Sequence, residues 1–90
     1  MMQNTCEQEI KFPLDWTYRI IIESAKEASV LPEIKKLMVE FGVQSELKAT
    51  SVSSSGTYKT FSFSKNLSSR EEMENIANTI HALDGVKVVI

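Results

Sequence analysis

Ninety residues, 42% of them hydrophobic and 24% charged, make one globular domain and exclude a disordered chain. A net charge of −2 and a pI near 5.4 argue against a dedicated nucleic-acid binder, which would carry a basic face. No apolar run approaches the length of a bilayer span, so no membrane partner is expected.

Residues 1–11 are polar, with Ile10 the one large aliphatic after the methionines, and read as a flexible tail or loose cover strand ahead of a single domain over 12–90. The tail lacks the basic start and apolar stretch of a signal peptide. Its Cys6, the only cysteine, has no internal disulfide partner. An unpaired thiol without an export signal predicts a reducing, cytoplasmic setting. Pro13 holds Phe12 extended. From Trp16 the chain alternates: Trp16, Tyr18, Ile20 and Ile22 share one face, and Thr17, Arg19, Ile21 and Glu23 the other. Period two in β-branched and aromatic residues is a strand signal.

A helix follows. Ser29 is its expected N-cap, with Pro32 in the first turn, where a missing N–H is tolerated. Val30 (or Leu31), Ile34, Leu37, Met38 and Phe41 form its apolar stripe, and Gly42 supplies the stop. Val43 to Ser53 predicts a weak edge strand with Val43, Ser45, Leu47 and Ala49 on one side, and Glu46 and Lys48 discouraging illicit pairing. The Ser53-Ser54-Ser55-Gly56 turn leads into a return strand over Tyr58–Lys65, with Phe61 and Phe63 facing the core and Tyr58, Thr60, Ser62 and Ser64 facing away. A second helix opens on a capping box, Ser68 with Glu71 or Ser69 with Glu72. Its stripe is Met73, Ile76, Ala77, Ile80 and Leu83, and Gly85 ends it. Val86 to Ile90 closes the chain as a short strand, with Val86, Val88 and Ile90 sharing a face.

The order β-α-β-β-α-β predicts an α+β, ferredoxin-like sandwich: a four-stranded antiparallel sheet with two helices on one face and the first and third strands central. No constellation in it carries chemistry. His81 lies off the stripe of its helix and has no nucleophile beside it. One cysteine and one histidine make no metal set. Glu71, Glu72 and Glu74 suit the positive end of the helix dipole. Three glycines form no phosphate loop. No catalytic residue, metal or cofactor is therefore expected. The remaining candidate is the sheet face opposite the helices, expected to carry Thr17, Arg19, Ile21, Thr60, Ser62, Ser64, Lys87 and Val89. Ile21 and Val89 are aliphatic there, which suggests contact with a partner protein, a small effector or a second copy. The edge strands offer strand addition as another route. An RNA-binding face of the same fold needs outward aromatics, but Phe61 and Phe63 have core parity. An acylphosphatase-like hydrolase needs an arginine in a phosphate loop, but Arg19 sits within the strand.

Phe12-Pro13 with Trp16-Thr17-Tyr18-Arg19, the Ser-Ser-Gly-x-Tyr of Ser54–Tyr58 and the closing Leu83–Ile90 resemble the YbeD-like family of small uncharacterised bacterial proteins. The resemblance implies a ferredoxin-like fold similar in architecture to ACT regulatory domains, which bind small effectors and pair side by side. It also implies a link to lipoate metabolism, and no catalytic residues. The chain departs from true ACT domains in one respect: Ser24–Ser29, where a glycine-rich effector loop would lie, has no glycine. The expectation is a cytoplasmic, non-enzymatic regulatory or interaction module, with RNA binding or acylphosphatase-like hydrolysis as alternatives.

Overall fold

The computed structural model describes residues 11–90. The expected tail lies almost wholly outside the described residues, as do Cys6 and Ile10. The elements run β1 (Leu14–Glu23), α1 (Glu27–Glu40), β2 (Lys48–Val52), β3 (Tyr58–Leu67), α2 (Arg70–His81) and β4 (Val86–Val89). The strands form one antiparallel sheet in the order β2-β3-β1-β4. The two ten-residue strands, β1 and β3, are central and pair along their whole length, from Leu14 opposite Leu67 to Glu23 opposite Tyr58. This is the expected ferredoxin-like α+β arrangement.

One face of the sheet makes the core. Tyr18, Ile20 and Ile22 of β1 and Phe61, Phe63 and Leu67 of β3 are buried against Val30, Ile34 and Met38 of α1 and Ile76 and Ile80 of α2. Full burial of such aliphatic and aromatic side chains stabilises by about 1.5–3 kcal/mol each, so this cluster dominates the fold. The Tyr18 and Phe63 rings stack with centroids 5.1 Å apart. The Tyr18 hydroxyl donates to the Met73 carbonyl at 2.9 Å, which satisfies the one polar atom that this ring brings inward. Burial, with a smaller contribution from the nearby Glu72 carboxylate, pushes that phenol up to about 12.

On β3 the helix-facing parity continues through Lys59 and Lys65, and each lysine ties the sheet to the start of a helix. Lys59 Nζ meets Glu27 Oε1 at 2.5 Å in the first turn of α1. Lys65 Nζ meets Glu72 Oε2 at 2.8 Å in the first turn of α2. Their stems cover apolar surface while their heads reach carboxylates. The Glu72 carboxylate also accepts from the Ser68 N–H at 2.7 Å and from the Ser68 hydroxyl at 3.1 Å. Lys65 first, then the Ser68 backbone and side chain, hold it down to about 2. Ser69 caps α2 by accepting from the Glu72 N–H at 3.1 Å, so the second of the two expected capping registers is the one used.

The structure departs from sequence expectation at four places. Helix α1 begins earlier, at Glu27, after a single 3-10 turn over Ser24–Lys26. The Ser29 hydroxyl donates to the Lys26 carbonyl and does not cap. Pro32 therefore lies within the helix, where its missing N–H cannot serve the carbonyl of Ala28, an exposed residue. Strand β2 is shorter than expected, because residues 43–47 leave the sheet. Val43 and Leu47 still pack against the core, while Ser45 replaces the ladder with its side chain: its hydroxyl accepts from the Ser64 N–H and donates to the Ser64 carbonyl, both at 2.9 Å. Strand β3 is longer than expected and ends on the fully buried Leu67.

The fourth departure changes a candidate residue. β1 and β4 pair Ile20 with Val89 and Ile21 with Val88, but Ile22 with Val86, so Lys87 is an extra residue in a β-bulge. The bulge inverts the parity of everything after it. Val89 packs toward the core with Val86, instead of lying on the open face. Val88, expected inside, shares the open face with Ile21. Ile90 follows: its N–H and carbonyl exchange hydrogen bonds with those of Arg19 at 2.8 and 3.0 Å, on the open-face parity, and it is 60% exposed. A similar irregularity interrupts β2 between Ala49 and Ser51, where the Thr50 hydroxyl donates to the Thr60 carbonyl at 3.1 Å.

Candidate functional site

The open face is laid out by the register of the central strands. Thr17, Arg19 and Ile21 of β1 stand beside Ser64, Ser62 and Thr60 of β3. The structure thus brings these six expected residues together in three cross-strand pairs. Lys87 is exposed at the bulge, and Val89 is turned away. Further residues outside the expected set join the face: Asp15 and Asn66 at one end, and Glu23 beside Tyr58 at the other. Val88 and Ile90 complete it from β4.

The face has two halves of different chemistry. Near the start of β1, polar side chains satisfy one another across the strands. Asn66 Nδ2 donates to Asp15 Oδ1 at 2.9 Å, and the Thr17 and Ser64 hydroxyls are 3.0 Å apart. This half is self-contained and solvated, as open antiparallel sheets commonly are. Toward the end of β1 the pattern changes to Arg19, Ile21 and Glu23, with Val88 and Ile90 alongside. Ile21 and Val88 are half-buried and Arg19 is exposed. Among the described residues neither Arg19 nor Glu23 forms an ion pair. Lys26, whose ammonium Glu23 helps to hold protonated, is already bonded to Asp84 at 2.8 Å, the main cause of its raised pKa. One half of the face is thus internally satisfied, and the other presents aliphatics flanked by two unpaired opposite charges.

Of the aromatics on the central strands, Tyr58 alone stands on the open face, where an RNA-stacking surface would need several. Phe61 and Phe63 are 6% and 2% exposed and belong to the core. His81 is exposed at the last residue of α2. Among the described residues no three His, Cys, Asp or Glu side chains cluster as a metal site, and no helix is long and apolar enough to cross a membrane. Elsewhere, a hollow of about 270 Å³ between α1 and residues 43–47 is lined by Met38, Val39, Val43 and Leu47, with Lys35 and Glu46 among its other residues. A wider one of about 510 Å³ joins Glu40 and Phe41 of the α1 end to Ser69, Glu71 and Glu72 of the α2 start.

Two of these departures, the longer β3 and the bulge in β4, differ in how far the sequence marks them. Leu67 continues the alternation Phe61, Phe63, Lys65, so its inward placement has a sequence signal. The outward placement of Val88 and Ile90 has none, because no glycine marks the bulge in Val86-Lys87-Val88-Val89.

The fold and the face together define a small ferredoxin-like α+β domain with an open sheet face. The family profile described as "Protein of unknown function (DUF493)" matches residues 7–90, and the chain belongs to that family. Two solution structures of the protein HP0495 from Helicobacter pylori are similar. One has a TM-score of 0.77 at 24% identity, covering 97% of this chain and 91% of that one. The other has a TM-score of 0.62 at 21% identity, covering 93% and 99%. The C-terminal domain of the MgtC protein from Mycobacterium tuberculosis is similar with a TM-score of 0.66 at 13% identity, covering 91% of this chain and 89% of that one. Likeness at such identities shows the shared fold. No curated protein matches the sequence.

Proposed function

We propose that this protein is a non-enzymatic interaction module of the cytoplasm, regulatory in the manner of the ACT-like domains its sequence resembles, and that it works through the open face of its sheet. The observation that carries this reading is the asymmetry of that face. Its polar half is satisfied by internal hydrogen bonds, while Arg19, Ile21, Glu23, Val88 and Ile90 are left with uncovered apolar area and unpaired charge. A surface evolved only for solvation has no need of three β-branched aliphatics side by side. The edges of the sheet are poorer candidates than the sequence suggested. Both outer strands are short and each is bulged, a device that discourages strand addition. The resemblance to small bacterial YbeD-like proteins makes regulation linked to lipoate metabolism the pathway to test first.

Quantitative affinity capture from the native cell tests the reading, with the wild-type chain and Ile21→Asp as matched baits. A partner held by the wild type and lost by Ile21→Asp is the expected result. Equal recovery by wild type, Ile21→Asp and Val88→Asp refutes the open face as the working surface. Turnover of acetyl phosphate or a simple ester at enzyme-like rates refutes the non-enzymatic part.

A further inference from the structure

We infer that the partner of the open face is a second copy of this chain, packed face to face about a twofold axis through Ile21. The inference rests on the reading of that face as the working surface and adds the occupant and its register. An interface between identical chains must complement itself, so each charge needs its opposite at the position the symmetry assigns. On β1, Arg19 and Glu23 lie two residues to either side of Ile21, on the same face and about 6.7 Å from it along the strand. A twofold axis parallel to the sheet, crossing the strands at Ile21, sets Ile21 on its own copy. It places Arg19 of each chain opposite Glu23 of the other, so the pair forms twice. The cross-strand row Ser51, Thr60, Ile21, Val88 lies along the axis and meets itself. The twofold also leaves the internally bonded Asp15–Asn66 and Thr17–Ser64 pairs outside the contact, where they need no partner.

Area decides what kind of dimer this is. The overlap about the row spans some five residues on each strand. At about 3.3 Å per residue and about 4.8 Å between strands, that is roughly 300 Å² of sheet per protomer. Stable complexes bury about 800 Å² per partner. The pairing is therefore weak and reversible, in a Kd range well above that of stable complexes, and responds to the concentration of the chain.

Sedimentation equilibrium and NMR line widths up to about 1 mM wild-type chain read this range directly. Arg19→Glu brings a second carboxylate against Glu23 at both symmetry-related contacts, and Glu23→Arg sets like charges together in the same way. Each single variant is expected to weaken association by about tenfold or more. An equimolar mixture of the two variants, in which every facing pair is again opposite in sign, is expected to restore it as a heterodimer. The double variant Arg19→Glu/Glu23→Arg, which re-forms both pairs in a homodimer, provides the same reading if either single variant fails to fold. A mixture that associates no more tightly than its components overturns the register. A wild-type chain that stays monomeric at about 1 mM overturns self-pairing, and leaves the open-face reading intact if capture by that face is still lost in Ile21→Asp. A dimer that survives Ile21→Asp forms through another surface and overturns the face-to-face pairing, while the open-face reading still stands or falls with capture.

Discussion

Gly85 joins α2 to β4 with φ +100°, a left-handed conformation, and lies buried against the turn that precedes α1. A Cβ on Gly85 would stand 2.9 Å from Lys26 Cβ and 3.3 Å from Lys26 Cδ. The first of these atoms is fixed to the backbone, so the clash cannot be relieved by swinging a side chain away. Gly85→Ala therefore carries two costs. The left-handed backbone costs an L-residue about 1–2 kcal/mol. The forced shift of packed neighbours costs about 1–3 kcal/mol. The shift is transmitted to β1, because the Glu23 N–H donates to the Gly85 carbonyl at 2.9 Å. A total of about 2–5 kcal/mol is a large part of the stability of a domain this small, and at about 4–8 °C per kcal/mol it lowers Tm by roughly 8–40 °C. Urea and thermal unfolding followed by circular dichroism measure it. Lys26→Gly separates the terms. Lys26 is the N-cap of α1, where glycine is tolerated, and its ion pair with Asp84 is solvent-exposed and screened, so its loss matters little. In the Lys26→Gly background the alanine should retain only its backbone cost. A Gly85→Ala penalty under about 0.5 kcal/mol, or one unchanged by Lys26→Gly, would show that this contact does not constrain the fold.

Other perturbations probe other parts of the structure. Ser45→Ala removes the hydroxyl that serves both backbone groups of Ser64. It should cost about 1 kcal/mol and speed hydrogen exchange at the Ser64 amide, with no change at Thr60; unchanged exchange at Ser64 counts against the substitution of side chain for ladder. The folded-state pKa of Glu72 is lowered to about 2 from 4.5, so its contribution is present above 4.5 and is lost as the pH falls from there toward 2. Acid titration of stability should show that limb flattened in Glu72→Gln, and an unaltered limb would place the acid sensitivity elsewhere. The Tyr18 phenol is raised to about 12 from 10.0, so its contribution is intact below pH 10 and is lost as the pH climbs toward 12; Tyr18→Phe should remove that alkaline limb. Deleting Lys87 removes the bulge while keeping Val88 and Ile90 outside and Val89 inside, so the variant should fold with near-native stability. Deleting Val89 instead moves Ile90 to the core parity opposite Ile20, and should cost several times more when the two are unfolded side by side.

Much of the architecture is legible in the sequence because one signal dominates each element. Strong alternation in Leu14–Glu23 and Tyr58–Leu67 specifies the central pair, and the stripes of Val30, Ile34, Met38 and of Ile76, Ile80 specify what covers them. The departures fall where two local preferences compete. Ser29 and Pro32 form a good start signal for α1, but a 3-10 turn after Glu23 opens the helix one turn earlier, and the first-turn Glu27 is held by Lys59 from a strand far along the chain. In residues 43–47 a period-two pattern is present, yet the ladder is replaced by one serine hydroxyl. On the candidate face, six of eight expected residues stand together because β1 and β3 pair without interruption. Val89 departs from its expected side because a bulge is a property of the pairing and has no composition of its own.

The position of β1 also governs the order in which the fold can be made. Both of its neighbours lie later in the chain: β3 begins at Tyr58, and Ile90 is the residue that bonds to Arg19. The strand that brings Trp16, Tyr18, Ile20 and Ile22 is thus synthesised before both of its neighbours and satisfied late, since every strand pairing that fixes it closes a long loop. Until β3 arrives, Trp16, Tyr18, Ile20 and Ile22 have only α1 to shelter against. The nascent chain should therefore be most prone to aggregation between the completion of α1 and the docking of β3.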